Sequence, residues 1–71
     1  MKYVIDSYAN GPKEIEAKDF ESAVINYCKN TDTDHGVVVE VKQPRKGDMP
    51  PCYGKHYWFN YYKNTNNVMF Y

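Results

Sequence analysis

Apolar and polar residues alternate over residues 2–8, with the two-residue period of a half-buried β-strand. The face of this strand that we expect to point into the core carries Tyr3, Ile5 and Ser7. Residues 10–12, Asn-Gly-Pro, form a strong turn signal, and residues 13–17 alternate again. This pattern predicts a β-hairpin at the start of the chain.

Residues 19–30 have the period of an amphipathic helix instead. Asp19 is a good N-cap, Glu21 suits the positive end of the helix dipole, and Lys29 suits the negative end. The polar, turn-rich segment 30–36 ends the helix. The apolar stripe of this helix, spaced by three and four residues, consists of Phe20, Ala23, Val24, Tyr27 and Cys28.

The second half of the chain predicts three more strands. Residues 37–42 alternate, and we expect the face with Val37, Val39 and Val41 to lie in the core. Residues 56–63 are apolar on both faces, and residues 68–71 form a short last strand after a polar turn. A long loop, residues 43–55, contains three Pro and two Gly and separates the first two of these strands.

The element order is therefore β(β)αβββ, in a single domain over residues 1–71. Such an order predicts an α+β fold, an antiparallel sheet of four or five strands with one helix packed on one face. The predicted core draws on one side of the aromatic strand together with Tyr3, Ile5, Ile15, Phe20, Ala23, Val24, Tyr27, Val37, Val39 and Val41.

The aromatic strand 56–63 is the most distinctive segment of the chain. If Tyr57, Phe59 and Tyr61 pack under the helix, Trp58 and Tyr62 lie on the opposite side of the sheet, which one helix leaves uncovered. The residues that we expect to join them on that side are Val4, Tyr8, Val38, Glu40 and Lys42.

Exposed Trp and Tyr side chains are common anchors of protein interfaces, since they bury a large area at little cost in rotamer entropy. We therefore predict Trp58 and Tyr62, with Tyr8 beside them, as partner-binding residues. Two alternatives would also cover these rings. A second copy of the chain could close on this face, or the loop 43–55 could fold over it with its residues Met49, Pro50, Pro51, Cys52 and Tyr53.

Charge is divided unevenly between the two halves of the neutral chain. Residues 1–36 hold four Lys and seven acidic residues, a net of −3, while residues 37–71 hold five basic and two acidic residues, a net of +3. Cations in and around the loop would contact an acidic or nucleic-acid-binding partner, although a merely solvated loop has the same composition. These candidate residues are Lys42, Arg45, Lys46 and Lys55.

Metal binding and catalysis have little support in the sequence. Cys52 and His56 are four apart and Cys28 and His35 are seven apart, and neither spacing matches paired zinc ligands. Catalytic motifs such as a phosphate loop or a nucleophile elbow are also missing, so we expect no cofactor and no enzymatic activity. The sequence shows neither a signal peptide nor an apolar run long enough to span a bilayer, which predicts a cytoplasmic protein without a membrane partner.

Asn, Lys and Tyr together supply 23 of the 71 residues, and their AT-rich codons fit the gene of a phage or mobile element. Residues 13–63 resemble small phage accessory proteins, among them certain type I-F anti-CRISPR inhibitors, in length and element order. The resemblance depends on Ile15-Glu16-Ala17, on Asp19-Phe20-Glu21-Ser22-Ala23 and on Gly36 before the Val strand. It implies an inhibitor that binds a host defence complex through Lys and aromatic residues and blocks access of nucleic acid.

The sequence thus predicts a non-enzymatic inhibitor or modulator, encoded by a phage or mobile element, that docks on a host protein or protein–nucleic-acid complex. One alternative is direct binding of single-stranded DNA or RNA, in which bases stack on the rings while Lys and Arg follow the phosphates. Another is a structural homodimer whose own interface is the aromatic face.

Overall fold

A computed structural model describes residues 1–8 and 10–71. Its elements, in chain order, are β1 (Lys2–Asp6), β2 (Lys13–Glu16), α1 (Phe20–Lys29), β3 (His35–Gln43), β4 (Cys52–Tyr62) and β5 (Asn67–Phe70). The strands form one antiparallel sheet in the order β2-β1-β3-β4-β5. The α+β fold and the order β(β)αβββ predicted from the sequence are confirmed.

Helix α1 begins and ends at the residues that its sequence signals indicate. Asp19 is the N-cap, and its Oδ1 accepts a hydrogen bond from the backbone N–H of Ser22 at 2.7 Å. This bond holds the pKa of the Asp19 carboxyl below its usual value, because the charged form is the better acceptor. At the other end, the backbone N–H of Asn30 donates to the carbonyl of Tyr27. The helix is thus closed at both ends.

The core lies between α1 and one side of the sheet, and aromatic side chains fill much of it. Phe20 at the start of α1 packs against the rings of Tyr3, Tyr57 and Phe70, with ring centroids 4.9, 5.1 and 6.5 Å away. Two of these contacts are edge-on, a favourable geometry for aromatic pairs. The buried apolar residues are Tyr3, Ile5, Ala23, Val24, Tyr27, Cys28, Val38, Phe59 and Tyr61.

The predicted orientation of β3 is wrong. Val38 is fully buried beneath α1, while Val37, Val39 and Val41 lie on the opposite side of the sheet and are half-buried. Pairing explains the difference, because Val38 is in register with Ile5 of β1 and with Tyr57 of β4, which both point towards the helix.

Gly36 extends the helix-facing row of β3 beyond the predicted start of the strand. The Phe59 ring lies against it, so that a Cβ on Gly36 would be 3.3 Å from the ring and 2.6 Å from the carbonyl oxygen of Asp6. Beneath the helix, space that a β3 side chain would otherwise occupy is therefore filled by an aromatic ring of β4.

The predicted loop 43–55 is shorter than expected, because both of its ends are strand. β3 and β4 continue to Gln43 and Cys52, so the connection shortens to residues 44–51. β1 pairs with β3 only as far as Val41, and beyond this point β3 and β4 pair only with each other among the described residues. We call residues 42–53 the hairpin arm. The molecule is elongated, with extents of 42 × 22 × 19 Å.

We predict that Gly36→Ala destabilises the protein by about 1–3 kcal/mol, the usual cost of overpacking a core. The added methyl group meets backbone and a buried ring, neither of which can move freely. Chemical denaturation of the two proteins measures the difference.

Gly54→Ala is the matched control for this substitution. The three atoms nearest to its Cβ would be Oε2 of Glu40 and Cε of Lys42 at 2.9 Å and Cγ of Lys42 at 3.1 Å, which all belong to flexible side chains. We expect a clearly smaller loss of stability than at Gly36. Equal losses at both positions would contradict the packing described for Gly36.

Candidate binding surface

The side of the sheet opposite α1 is an extended surface that we call the open face. Its central residues come from β1, β3, β4 and β5, and α1, the one helix among the described residues, lies on the other side. They are Val4, Val37, Val39, Val41, His56, Trp58, Asn60, Tyr62, Met69 and Tyr71. Exposure is 57% for Trp58, 49% for Tyr62, 57% for Met69 and 66% for Tyr71.

Trp58 is held near the middle of this face by pairing on both sides. It is opposite Val37 in β3, and on its other side it exchanges two backbone hydrogen bonds with Tyr71, of 3.2 and 2.9 Å. The Asn60 side chain donates to the Tyr71 hydroxyl at 3.3 Å. The rings therefore project from a hydrogen-bonded backbone, which limits the entropy they lose when a partner covers them.

The structure brings Tyr8 and Tyr62 to the same face as Trp58, as predicted. Tyr8 is fully exposed and lines a shallow depression together with Trp58 and Val37, of about 390 Å³. Tyr62 is four residues further along β4, or about 13 Å from Trp58 at the rise of a strand. The three aromatic residues proposed from the sequence thus lie on one continuous surface.

The predicted cations are not beside these rings. Gln43, the last residue of β3, is six positions beyond Val37, the neighbour of Trp58, which corresponds to about 20 Å along the strand. Arg45 and Lys46 lie beyond that point in the turn of the hairpin arm. A compact site that combines the rings and the basic residues is therefore not present.

Glu40 and Lys42 were expected on the open face, and this expectation is wrong. Glu40 pairs with the buried residue Tyr3, which points to the helix side. Both side chains approach Gly54 on that same side. Opposite Glu40, β4 inserts one extra residue, so that Gly54 and Lys55 form a β-bulge. Lys42 and Lys55 thus belong to the hairpin arm and its base.

An acidic rim borders the open face along β1 and β2. The sequence indicates Glu14 and Glu16 as part of a solvated acidic edge, but not the face of the sheet on which they lie. The in-register pairs Val4–Glu14, Lys2–Glu16 and Asp6–Val37 place three carboxylates and one Lys on this side. Lys2 Nζ lies 3.0 Å from Glu14 Oε1, and this hydrogen bond raises the pKa of the Lys2 ammonium. The pairing of β2 with β1 reveals the rim, because it decides which face Glu14 and Glu16 share.

Met69 and Tyr71 are further members of the surface that were not predicted as site residues. Their positions alternate within the last strand, and the short turn after β4 fixes their register with Asn60 and Trp58. The alternation along residues 67–71 was the sequence feature that could have identified them.

The hairpin arm does not fold over the open face, because Trp58 and Tyr53 are both more than half exposed. The alternative in which the loop 43–55 covers the aromatic rings is therefore wrong.

Polar groups near the end of β1 bond to one another. Ser7 Oγ lies 2.7 Å from the Tyr27 hydroxyl and also accepts the backbone N–H of Asn10. Asn10 Nδ2 in turn donates to Thr33 Oγ1 at 2.5 Å. All buried side-chain nitrogen and oxygen atoms of residues 1–8 and 10–71 have a hydrogen-bond partner. The hydrogen bonds of this cluster therefore tie the end of β1 to Tyr27 of α1 and to Thr33.

The described part of the chain has no group of three or more His, Cys, Asp or Glu side chains placed to hold a metal ion. Cys28 is buried in the core, and burial raises the pKa of its thiol to about 11. A thiol in this environment is a poor nucleophile, since the thiolate is the reactive form. Asp34 and His35 form an exposed pair at 2.8 Å, which lowers the pKa of the Asp34 carboxyl.

Among residues 1–8 and 10–71, no helix is long and apolar enough to cross a membrane.

Comparison of the chain with family models, with curated proteins and with solved structures gives no match. The open face and the hairpin arm are therefore interpreted from their own geometry and chemistry.

We predict that a thiol-specific reagent at about pH 8 modifies Cys52 rapidly and Cys28 only after unfolding. Cys52 is exposed in the hairpin arm, whereas Cys28 is buried and protonated at that pH. Counting the modified thiols in native and denatured protein measures this. In Cys52→Ser the rapid phase should vanish, and two rapid thiols in the native protein would contradict the burial of Cys28.

Proposed function

We propose that this chain is a non-enzymatic binding protein that docks on a protein partner through its open face. The observation that carries the proposal is the set of Trp58, Tyr62, Met69 and Tyr71, four large side chains about half exposed or more on one uncovered side of the sheet. Contiguous exposed apolar surface of this kind marks interaction sites on small proteins. Trp and Tyr are also the residues most enriched at interface hot spots.

The charges around the open face define the partner further. Asp6, Glu14 and Glu16 border the apolar centre along one side. A complementary surface has an apolar pocket for Trp58 and basic residues opposite this rim. Proteins that bind nucleic acid present such basic surfaces, so a host protein–nucleic-acid complex is the partner class that we favour.

In this proposal the protein is encoded by a phage or mobile element and acts in the cytoplasm of the host cell. It inhibits or modulates the host complex by covering a surface that the complex uses. The abundance of residues with AT-rich codons and the resemblance to small phage inhibitors support this role. The hairpin arm, about 20 Å from Trp58, would make a second contact with acidic groups of the same complex.

We expect Trp58→Ala and Tyr62→Ala to weaken partner binding by at least about tenfold, because each removes an exposed anchor. Affinity capture from bacterial lysate, with and without nuclease, identifies the retained complex, and titration with the purified complex gives the affinity. Trp58 is the one Trp of the chain, so its fluorescence should shift to shorter wavelength as the partner covers it.

Asn26→Ala is the control, since Asn26 is exposed on α1, on the side of the molecule that the proposed partner does not contact. It should change the affinity much less than Trp58→Ala. Thermal denaturation must also show that Trp58→Ala costs less than about 1 kcal/mol, as for an exposed strand residue. A large loss of stability would mean that Trp58 supports the fold and is not a free anchor.

Direct binding of single-stranded nucleic acid is the second candidate function, and the hairpin arm favours it. The arm carries Lys42, Arg45 and Lys46 against one acid, Asp48, and it also contains the exposed ring of Tyr53. A ring and several cations in one short segment offer stacking together with phosphate contacts. The acidic rim places this activity on the arm and not on the open face.

For this candidate we predict an affinity for oligonucleotides that falls with salt, with a slope of about −0.7 per phosphate contacted. Lys46→Gln should reduce the slope by about 0.7, while Lys13→Gln, at the other end of the molecule, should leave it unchanged. Fluorescence anisotropy at several salt concentrations measures both. Absence of binding at low salt removes nucleic acid as a direct ligand.

A further inference from the structure

The two edges of the sheet differ in their protection. β2, at one edge, consists of Lys13, Glu14, Ile15 and Glu16, and follows Pro12. Charges and Pro are common devices that prevent an edge strand from pairing with another chain. β5, at the opposite edge, has neither a charged side chain nor a Pro over residues 67–71. The β5 edge is therefore open to an additional strand.

The hydrogen bonds between β4 and β5 identify the groups that β5 presents at this edge. Tyr71 exchanges both backbone hydrogen bonds with Trp58. Bonded and non-bonded pairs alternate in an antiparallel ladder, so Met69 exchanges its bonds with Asn60. The backbone N–H and C=O groups of Val68 and Phe70 consequently point away from β4.

We propose that β5 pairs with β5 of a second copy of this chain, antiparallel and about a two-fold axis at Met69. This register alone sets Val68 of each copy opposite Phe70 of the other, and so uses all four outward groups of both strands. Met69 then faces Met69 of the second copy as a non-bonded pair on the open face. The ladder contains four hydrogen bonds between the copies, and it sets no charged side chains of β5 opposite each other.

Two-fold pairing of β2 with β2 of a second copy, at the other edge of the sheet, is unfavourable. This difference favours β5 as the strand that pairs with itself. Ala17 donates its N–H to the carbonyl of Met1, so by the same alternation Glu14 and Glu16 present the outward groups of β2. A two-fold axis at Ile15 would set Glu14 opposite Glu16 of the second copy. Like charges directly opposite in a ladder are destabilising.

The pairing has a consequence for the open face. A two-fold axis perpendicular to the sheet keeps both helices on one side and both open faces on the other. The two sheets form one sheet of ten strands, and Trp58, Met69 and Tyr71 of both copies lie side by side. This inference does not depend on the foreign partner proposed above, and it differs from a dimer that buries the open faces against each other.

Sedimentation equilibrium across about 1 µM to 1 mM tests the pairing, since a single short strand gives a concentration-dependent dimer. Met69→Lys should weaken the dimer about tenfold, because it sets two cations opposite each other at the axis. Met49→Lys is the matched control. It makes the same exchange at a similarly exposed Met in the hairpin arm, and the dimer should remain.

Hydrogen exchange measured by NMR locates the interface. The amides of Val68 and Phe70 should become protected as concentration rises, while the Met69 amide, bonded to Asn60, should be protected at every concentration. A monomer throughout the concentration range would overturn the proposal. It would also be overturned by a dimer that Met69→Lys leaves intact and Trp58→Lys disrupts, since that result assigns the interface to the open face.

Discussion

In the described part of the chain, a single ten-residue helix has to cover a sheet of five strands, and it can cover only one side. At 1.5 Å per residue α1 is about 15 Å long, and five strands spaced by about 4.8 Å are about 19 Å wide. The helix is comparable in length to the width of the sheet, and it contacts all five strands. All of the fully buried apolar side chains lie on that side, and the apolar residues that the strands place on the other side are half-buried or exposed.

The aromatic residues follow from this constraint. The chain has no Leu, and large rings from both layers fill the space beneath the helix, with Phe20 in contact with Tyr3 and Tyr57. A buried Tyr needs a partner for its hydroxyl. Tyr27 finds one in Ser7, and the Tyr61 hydroxyl donates to Asn66 at 2.7 Å. The Tyr residues of the core thus add hydrogen bonds to its apolar packing.

Much of this architecture can be predicted from local pattern. The stripe of α1, its Asp19 cap and the parity of Tyr57, Phe59 and Tyr61 are all visible in the sequence, and the structure agrees with each of them. What these features share is that neighbouring residues decide them. Helix period, capping and alternation along a strand need no knowledge of distant parts of the chain.

The features that sequence alone did not provide depend on pairing across the sheet. Alternation places Val37, Val39 and Val41 on one face, but only the register with Ile5 and Tyr57 determines that this face is the open one. The same register separates Lys42 from Trp58 and creates the acidic rim. Three Pro and two Gly indicate a loop over residues 43–55, yet cross-strand bonds extend both strands into it.

The position of β1 between β2 and β3 has a consequence for how the chain folds. β3, β4 and β5 form a meander whose contacts are local in sequence, so they can assemble early. β1 is the first strand made, but it finds its place beside β3 only after the helix has joined the two halves of the chain. Closure of this long-range contact is the entropically slow step. Folding of the whole domain should therefore depend most on the pairing of β1 with β3, which joins the β1–β2 hairpin to the meander.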